Sequence, residues 1–352
     1  MSISLYLHLP FCRHICPYCD FTRQVYNEAL VDRYLEKLLK EIPPGSFKTV
    51  YIGGGTPSCL SFKQLESLLV ALRGRCQGEY TIEANVEDIT EPKLVLLKQH
   101  GVNRLSLGVQ SFAAALLASC GRRYNGKQAL VSCQMVAQYF DNYSLDLIYG
   151  LPQQTVEDFA ADLRQALALK VPHLSLYALT IEENSVWGKK QQPAPAEDLL
   201  ADMYALACRL LPRAYRHYEI SNFALPGYQA QHNLVYWHYE DFYGCGWGAS
   251  GKEGRLRYKY DGSLRDYLEN SQRSVINLTE AEARFEYLMM NLRLEEGLNY
   301  VKFRELFACD FQELYQEALQ RNRDYFNFRS DGLSIKKEYF YISNSLLVDF
   351  LE

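Results

Sequence analysis

Three cysteines near the N-terminus stand in the run Phe11-Cys12-Arg13-His14-Ile15-Cys16-Pro17-Tyr18-Cys19-Asp20-Phe21, a C-x3-C-x2-C spacing. Thiolates so spaced can wrap one soft-metal centre, an iron–sulfur cluster or a zinc ion. Three thiolates are one short of a closed four-ligand site. On a cubane cluster that shortfall leaves one iron without a protein ligand, open to a small molecule. The cysteines by themselves leave three readings: an open cluster, a zinc loop, and three neighbouring thiols that bind no metal.

Further residues suit a polar ligand beside that centre. Gly53-Gly54-Gly55-Thr56-Pro57 lacks a Cβ at three successive positions, so its backbone can approach a ligand and present N–H and C=O groups. The same run also reads as a tight strand-to-helix turn. No Gly-Lys-Ser/Thr follows it, which excludes a phosphate loop, and its spacing does not fit a dinucleotide fold. Glu83, Gln110, Arg122 and Asp146 suit a ligand carrying an amine, a carboxylate and ribose hydroxyls. A carboxylate accepts from two vicinal hydroxyls, and a guanidinium grips a carboxylate through two N–H groups. Each also has a plainer reading, the acids as partners of arginines, and Arg122 or Arg123 as a solvated charge.

Periodicity places these residues. Short β-type runs at 4–9, 49–53, 80–85, 104–111, 143–150 and 173–180 alternate with helical patterns at about 28–42, 62–72, 91–100, 127–139, 155–169 and 199–211. Near-continuous apolar strands between helices predict an α/β fold with a parallel sheet, barrel-like or doubly wound. The cysteines follow the first strand, the glycines the second, Glu83 closes the third, Gln110 the fourth, and Asp146 lies in the fifth. That sorting to the carboxyl ends of the strands favours a barrel rim. The expected division is a barrel core over 1–190, a flanking segment over 191–279 and a small C-terminal domain over 280–352, which ends in an apolar run.

Composition bounds the function. A net charge of −5 argues against a nucleic-acid binder that relies on a basic face. No apolar stretch approaches a membrane span and no signal-type segment opens the chain, so a cytoplasmic protein is expected. Cys59, Cys76, Cys120, Cys133, Cys208, Cys245 and Cys309 are scattered, and in a reducing compartment they read as buried thiols.

The cysteine motif, the glycine run and the rim carboxylates resemble the radical S-adenosylmethionine superfamily. Tyr6-Leu7-His8-Leu9-Pro10-Phe11-Cys12, Ile82-Glu83-Ala84-Asn85, Leu107-Gly108-Val109-Gln110-Ser111-Phe112 and Asp146-Leu147-Ile148-Tyr149-Gly150-Leu151-Pro152 are similar to oxygen-independent coproporphyrinogen oxidases and their relatives. The resemblance spans nearly the whole chain. It implies a partial (β/α)6 TIM-like barrel with a small winged-helix-like C-terminal α/β domain. It implies a 4Fe–4S cluster on Cys12, Cys16 and Cys19, whose open iron chelates S-adenosylmethionine for reductive cleavage. Tyr6, Gly54, Gly55, Thr56, Glu83, Gln110, Arg122 and Asp146 are then the residues around that cofactor.

Two relatives share this core. The coproporphyrinogen III oxidases decarboxylate propionate side chains. They carry a fourth cysteine two residues after the third, where this chain has Phe21, and a longer segment before the first, where it has eleven residues. HemW-type haem chaperones carry His-Asn-x-x-Tyr-Trp, and this chain has His232-Asn233-Leu234-Val235-Tyr236-Trp237. The resemblance therefore implies a chaperone with haem as cargo, related to porphyrin biosynthesis and delivering to respiratory haem proteins by transient docking at the membrane surface. A homodimer is compatible with it; the alternative is the oxidase or another radical enzyme acting on a tetrapyrrole. His232 is the candidate haem ligand, with His8 and Cys245 behind it; otherwise His232 and Asn233 order a loop by hydrogen bonds. Ser250 and Tyr124 stand where the family often has histidines. No catalytic residue is assigned. Replacing Cys16 with serine should abolish cluster assembly, and a variant that kept its full iron content after anaerobic reconstitution would refute the cysteine assignment.

Overall fold

The computed structural model describes residues 3–270 and 273–351. Six parallel strands form the centre of the fold: β1 Ser4–Leu9, β2 Val50–Gly54, β3 Tyr80–Asn85, β4 Arg104–Gln110, β5 Tyr143–Tyr149 and β6 His173–Ala178. They lie side by side in chain order. Helices α1 Glu28–Glu41, α2 Phe62–Leu72, α3 Glu91–Gln99, α4 Gly126–Tyr139, α5 Val156–Ala168 and α6 Glu197–Leu210 follow them in turn. All twelve lie within two residues of the expected bounds.

Local chemistry explains that agreement. Val31, Tyr34, Leu35 and Leu38 of α1 recur at helical spacing and are buried, and the Asn27 side chain accepts from Leu30 N–H at its start. Reciprocal capping boxes open α2 (Ser61, Gln64), α4 (Asn125, Gln128) and α5 (Thr155, Asp158). Each of these helices thus begins at a defined residue.

The strands alternate more than their sequences suggest. Leu5, Leu7, Ile52, Ile82, Leu105, Leu107, Leu145, Leu147, Leu174 and Leu176 are buried in the main apolar core. Their neighbours Tyr51, Glu83, Ser106, Asp146, Ser175 and Tyr177 line a polar cavity on the concave face. The period of two that defines a pleated strand makes this separation.

Residues 191–279 enter the same sheet from both sides. Strands β7 Arg216–Glu219 and β8 Asn222–Ala224 extend it antiparallel beyond β6. On the other edge β9 Phe242–Cys245 pairs parallel with β1, and β10 Ser250–Glu253, β11 Leu256–Lys259 and β12 Ser274–Asn277 continue antiparallel. The described sheet therefore has twelve strands and is open, a partial barrel. Helix α7 Gln231–Trp237 carries the His-Asn-x-x-Tyr-Trp residues. After α8 Glu280–Asn291 the chain forms a small unit with a three-stranded antiparallel sheet, β13 Leu298–Asn299, β14 Phe326–Phe328 and β15 Gly332–Ile335. Phe303, Phe311, Tyr315 and Phe350 pack its interior, so the terminal apolar run closes that core.

One buried ion pair sets the position of α7. Glu79 lies 3.7 Å from Arg104, with their side chains 4% and 2% exposed. The same carboxylate accepts from the backbone N–H groups of Gln231 (2.9 Å) and His232 (3.0 Å), the first turn of α7. Glu79→Ala would leave Arg104 buried without its counter-charge and free the start of α7. Urea unfolding of the variant should show a loss of about 3–5 kcal/mol; an unchanged midpoint would disprove this lock.

Candidate active site and adjoining cavity

The cysteine loop is held from below by the glycine run. Gly55 N–H donates to Leu9 O and Thr56 N–H to Phe11 O, both at 2.8 Å. A Cβ on Gly55 would lie 2.7 Å from Phe11 O and 2.9 Å from Cys12 Sγ, and one on Gly54 would lie 2.9 Å from the His8 ring. Gly54 also has φ +116°, a conformation that side chains rarely tolerate. The run is thus both the turn and the close approach. Cys12 is buried and accepts from Thr56 Oγ1 at 3.5 Å, while Cys16 and Cys19 are half-buried. From above, Trp187 N–H donates to Pro17 O (2.8 Å), and Tyr18 packs on Trp187 and accepts from Arg122 Nη2 (2.8 Å).

All three cysteines line a cavity of about 570 Å³ together with Gly54, Gly55, Thr56, Glu83, Gln110, Arg122 and Asp146. Burial pushes the Cys12 thiol up to about 11 and raises Cys19, so both keep their protons at neutral pH until a metal displaces them. Among the described residues no three His, Cys, Asp or Glu side chains converge on a single ion. A cubane does not require such convergence, because each thiolate takes its own iron. The donor set fits a three-thiolate cluster.

The rest of the cavity holds polar groups without partners. Asp146 Oδ2 accepts from Ser106 Oγ at 2.9 Å, while its buried Oδ1 has no partner. Arg122 Nε is likewise buried and unpartnered. Such atoms are costly unless something fills them, and a ligand with hydroxyls and a carboxylate would satisfy both. Gln110 has φ 62° where the β4–β5 register shifts, and Tyr124 OH donates to its Oε1 at 3.1 Å. A strained non-glycine backbone at a strand end is a frequent mark of a functional site. Glu83 accepts from Tyr51 OH (2.7 Å) and Gly54 N–H (3.2 Å). Burial, with the nearby Asp146 charge adding to it, pushes the Glu83 carboxyl up to about 7.

A second cavity, of about 960 Å³, adjoins the first across Asp20, Phe21, Tyr177 and Asn233. Tyr6, expected beside the first cavity, lines this one instead: β1 runs between β2 and β9, and its alternate residues Tyr6 and His8 reach the cavity on the β9 side. Tyr6 OH is 2.9 Å from His8 Nδ1, and His8 Nε2 is 3.0 Å from Thr22 O. Since that carbonyl can only accept, Nε2 carries the proton and Tyr6 donates to Nδ1. His8 therefore braces the end of the cysteine loop and has no nitrogen left for a metal.

His232 also departs from expectation. It is 0% exposed, lines neither cavity, and both ring nitrogens are engaged, Nδ1 with Thr49 Oγ1 (2.7 Å) and Nε2 with Tyr236 OH (2.8 Å). Burial lowers its pKa to about 3, so it is neutral. His232 is a peg that orients α7, with both ring nitrogens engaged and none turned to either cavity. Asn233, Tyr236 and Trp237 from the same helix do reach the second cavity. Cys245 is buried with its thiol toward Glu41 O and lines neither cavity. Tyr124 is buried against the end of β4, and Ser250 lines the second cavity. Lys252, Arg257 and Lys259 line it too and were not anticipated. The signal was present as the period-two spacing on either side of Gly254, in strands too short to stand out.

The radical SAM superfamily pattern matches residues 6–166, and that of the HemN C-terminal domain matches residues 278–338. Coproporphyrinogen III oxidase (HemN) from Escherichia coli, a radical SAM enzyme, superposes with a TM-score of 0.83 at 22% identity, covering 99% of this chain and 90% of that one. At that identity the likeness speaks for the fold. The barrel and its cysteine-lined cavity define the class as radical SAM.

The heme chaperone HemW of Lactococcus lactis subsp. lactis (strain IL1403) is 40% identical over 90% of this chain and 88% of its own. Its counterpart in Escherichia coli (strain K12) is 38% identical over 86% and 85%. The chain belongs to the HemW family of the radical SAM superfamily.

The Glu83 carboxyl is protonated up to about 7 in the folded chain but only up to its ordinary value of 4.5 when unfolded. Its contribution is fully present below about 4.5, falls as the unfolded carboxylate ionises, and is gone above about 7, a change of about 3 kcal/mol. Glu219, also raised by burial to about 7, acts in the same window. Urea unfolding of the metal-free protein at pH 5 and pH 8 should show this loss, and Glu83→Gln should flatten part of it.

Proposed function

We propose that this chain is a haem chaperone that holds a 4Fe–4S cluster on Cys12, Cys16 and Cys19, binds S-adenosylmethionine beside it, and carries haem as cargo. The observation that carries the reading is the junction of two cavities, one lined by three thiols, the other larger and aromatic, across Phe21, Tyr177 and Asn233. Membership of the radical SAM superfamily implies the cluster and S-adenosylmethionine, and the curated relatives bear the name heme chaperone.

A cluster bound there supplies an electron and an iron open to the amine and carboxylate of S-adenosylmethionine. The protein's part is placement. Gly54 and Gly55 line the cavity and would present bare backbone to the methionyl chain, and the unpartnered Arg122 Nε would meet its carboxylate. The free oxygen of Asp146 accepts from a ribose hydroxyl, with Gln110 and Glu83 beside it. Thr56 holds Cys12 in place, and Tyr18 and Trp187 cover the loop. Haem would be received in the second cavity and passed to respiratory haem proteins, from the cytoplasm and by transient docking at the membrane surface. Among the described residues no helix is long and apolar enough to cross a membrane. Phe21, in the place of the oxidases' fourth cysteine, is 65% exposed at the cavity junction and offers an apolar surface to a flat ligand.

Two assays on one anaerobically reconstituted sample test this. Titration with haem should produce a saturable Soret change. Incubation with coproporphyrinogen III, S-adenosylmethionine and a reductant should give no decarboxylated product. Robust turnover to protoporphyrinogen would overturn the chaperone reading in favour of the oxidase, and so would the absence of haem binding.

A further inference from the structure

The floor of the second cavity is one face of the four strands β9–β12, and their register sorts it into two rows. Phe242, Lys252, Arg257 and Ile276 lie opposite one another in the first row. Ser250, Lys259 and Ser274 lie opposite one another in the second. All seven line the cavity.

The first row's cations already have partners. Lys252 pairs with Asp241 at 2.7 Å and sits 4.1 Å from the centre of the Tyr239 ring, and Arg257 pairs with Glu286. In the second row Lys259 is exposed and makes no ion pair among the described residues. The cavity's carboxylates do not offset it. Glu286 is taken by Arg257, Glu219 accepts from Ser221 N–H and the Asn222 amide, and Asp20 lies at the junction with the first cavity. An ammonium flanked by two hydroxyls on a pleated sheet makes a carboxylate receptor: the cation balances the charge, the Ser250 hydroxyl can donate to an oxygen, and Ser274 Oγ can do so by giving up its long 3.4 Å bond to Lys259 O. Tyr236 and Trp237 of α7, with Phe21 at the junction, line the same cavity with aromatic surface.

We propose that Ser250, Lys259 and Ser274 form a carboxylate-binding row that receives a propionate of the tetrapyrrole cargo, while its flat face lies against the aromatic side of the cavity. This rests on the haem reading above, because the propionates are the acidic groups that haem presents. It assigns recognition to the cavity floor rather than to His232.

The test uses the full chain with its cluster reconstituted, comparing wild type with Lys259→Ala. Haem and haem dimethyl ester are titrated by the Soret band, and coproporphyrin and its tetramethyl ester by fluorescence quenching. Iron content and circular dichroism serve as controls for folding. Lys259→Ala should weaken haem roughly tenfold and leave the ester unchanged, erasing the wild type's preference for the free acid. Ser250→Ala should shift the same preference in the same direction by less. A variant that binds haem like wild type, or loses acid and ester alike, overturns the row. If wild type fails to bind haem yet binds coproporphyrin in a Lys259-dependent way, the haem reading falls and the row stands. If wild type binds neither porphyrin, both fall.

Discussion

The molecule depends on the strict alternation of its central strands. Alternate side chains on β1–β6 are apolar and buried, most of them leucine or isoleucine, and those between them face a concave surface lined with tyrosines, serines and carboxylates. A polar interior of this kind is unfavourable unless its groups are satisfied. Most are: Glu83 by Tyr51 and Gly54, and Asp146 Oδ2 by Ser106. Asp146 Oδ1, Arg122 Nε, Arg104 Nε and Arg23 Nε are among the exceptions, and all four residues line the cysteine-lined cavity. The scaffold is stabilised by its outer face, which leaves the inner face free to hold ligands.

The edge strands extend this surface rather than closing it. Because β9–β12 continue the sheet beyond β1, the concave face runs without a break from the cysteine-lined cavity to the larger one, and Phe21 and Tyr177 touch both. The solved oxidase shares the fold over nearly the whole chain. What this chain places at the cavity junction and on the edge-strand floor is therefore more informative about its role than the barrel is.

The His-Asn-x-x-Tyr-Trp helix shows how a motif can mislead about which residue meets a ligand. A histidine among aromatics invites a metal-ligand reading, yet His232 is buried between Thr49 and Tyr236, and Glu79 holds the helix start. Its helical neighbours, one and four residues on, turn toward the cavity. The chemistry of the motif is positional: His232 anchors the helix, Tyr236 on the same face joins that anchor to the cavity, and Asn233 and Trp237 add to the wall.

Much of this was written locally in the sequence. The six central strands, the helices between them and the gathering of Cys12, Cys16, Cys19, Gly54, Gly55, Thr56, Glu83, Gln110, Arg122 and Asp146 at one site follow from hydrophobic period, capping residues and the rule that such folds work at strand carboxyl ends. Those signals act over a few residues and need no knowledge of distant partners, while the place of Arg122 beside them came from the resemblance of the chain's motifs to the superfamily. The sheet's edges are different. Strands of three or four residues have little signature of their own, and β9 becomes a strand by pairing with β1, more than 230 residues earlier. Tertiary structure alone therefore decided that Tyr6 faces the second cavity, that His232 is spoken for, and that Ser250, Lys259 and Ser274 share a row. Each outcome is set by register between remote segments, where a shift of one residue would send every side chain to the opposite face.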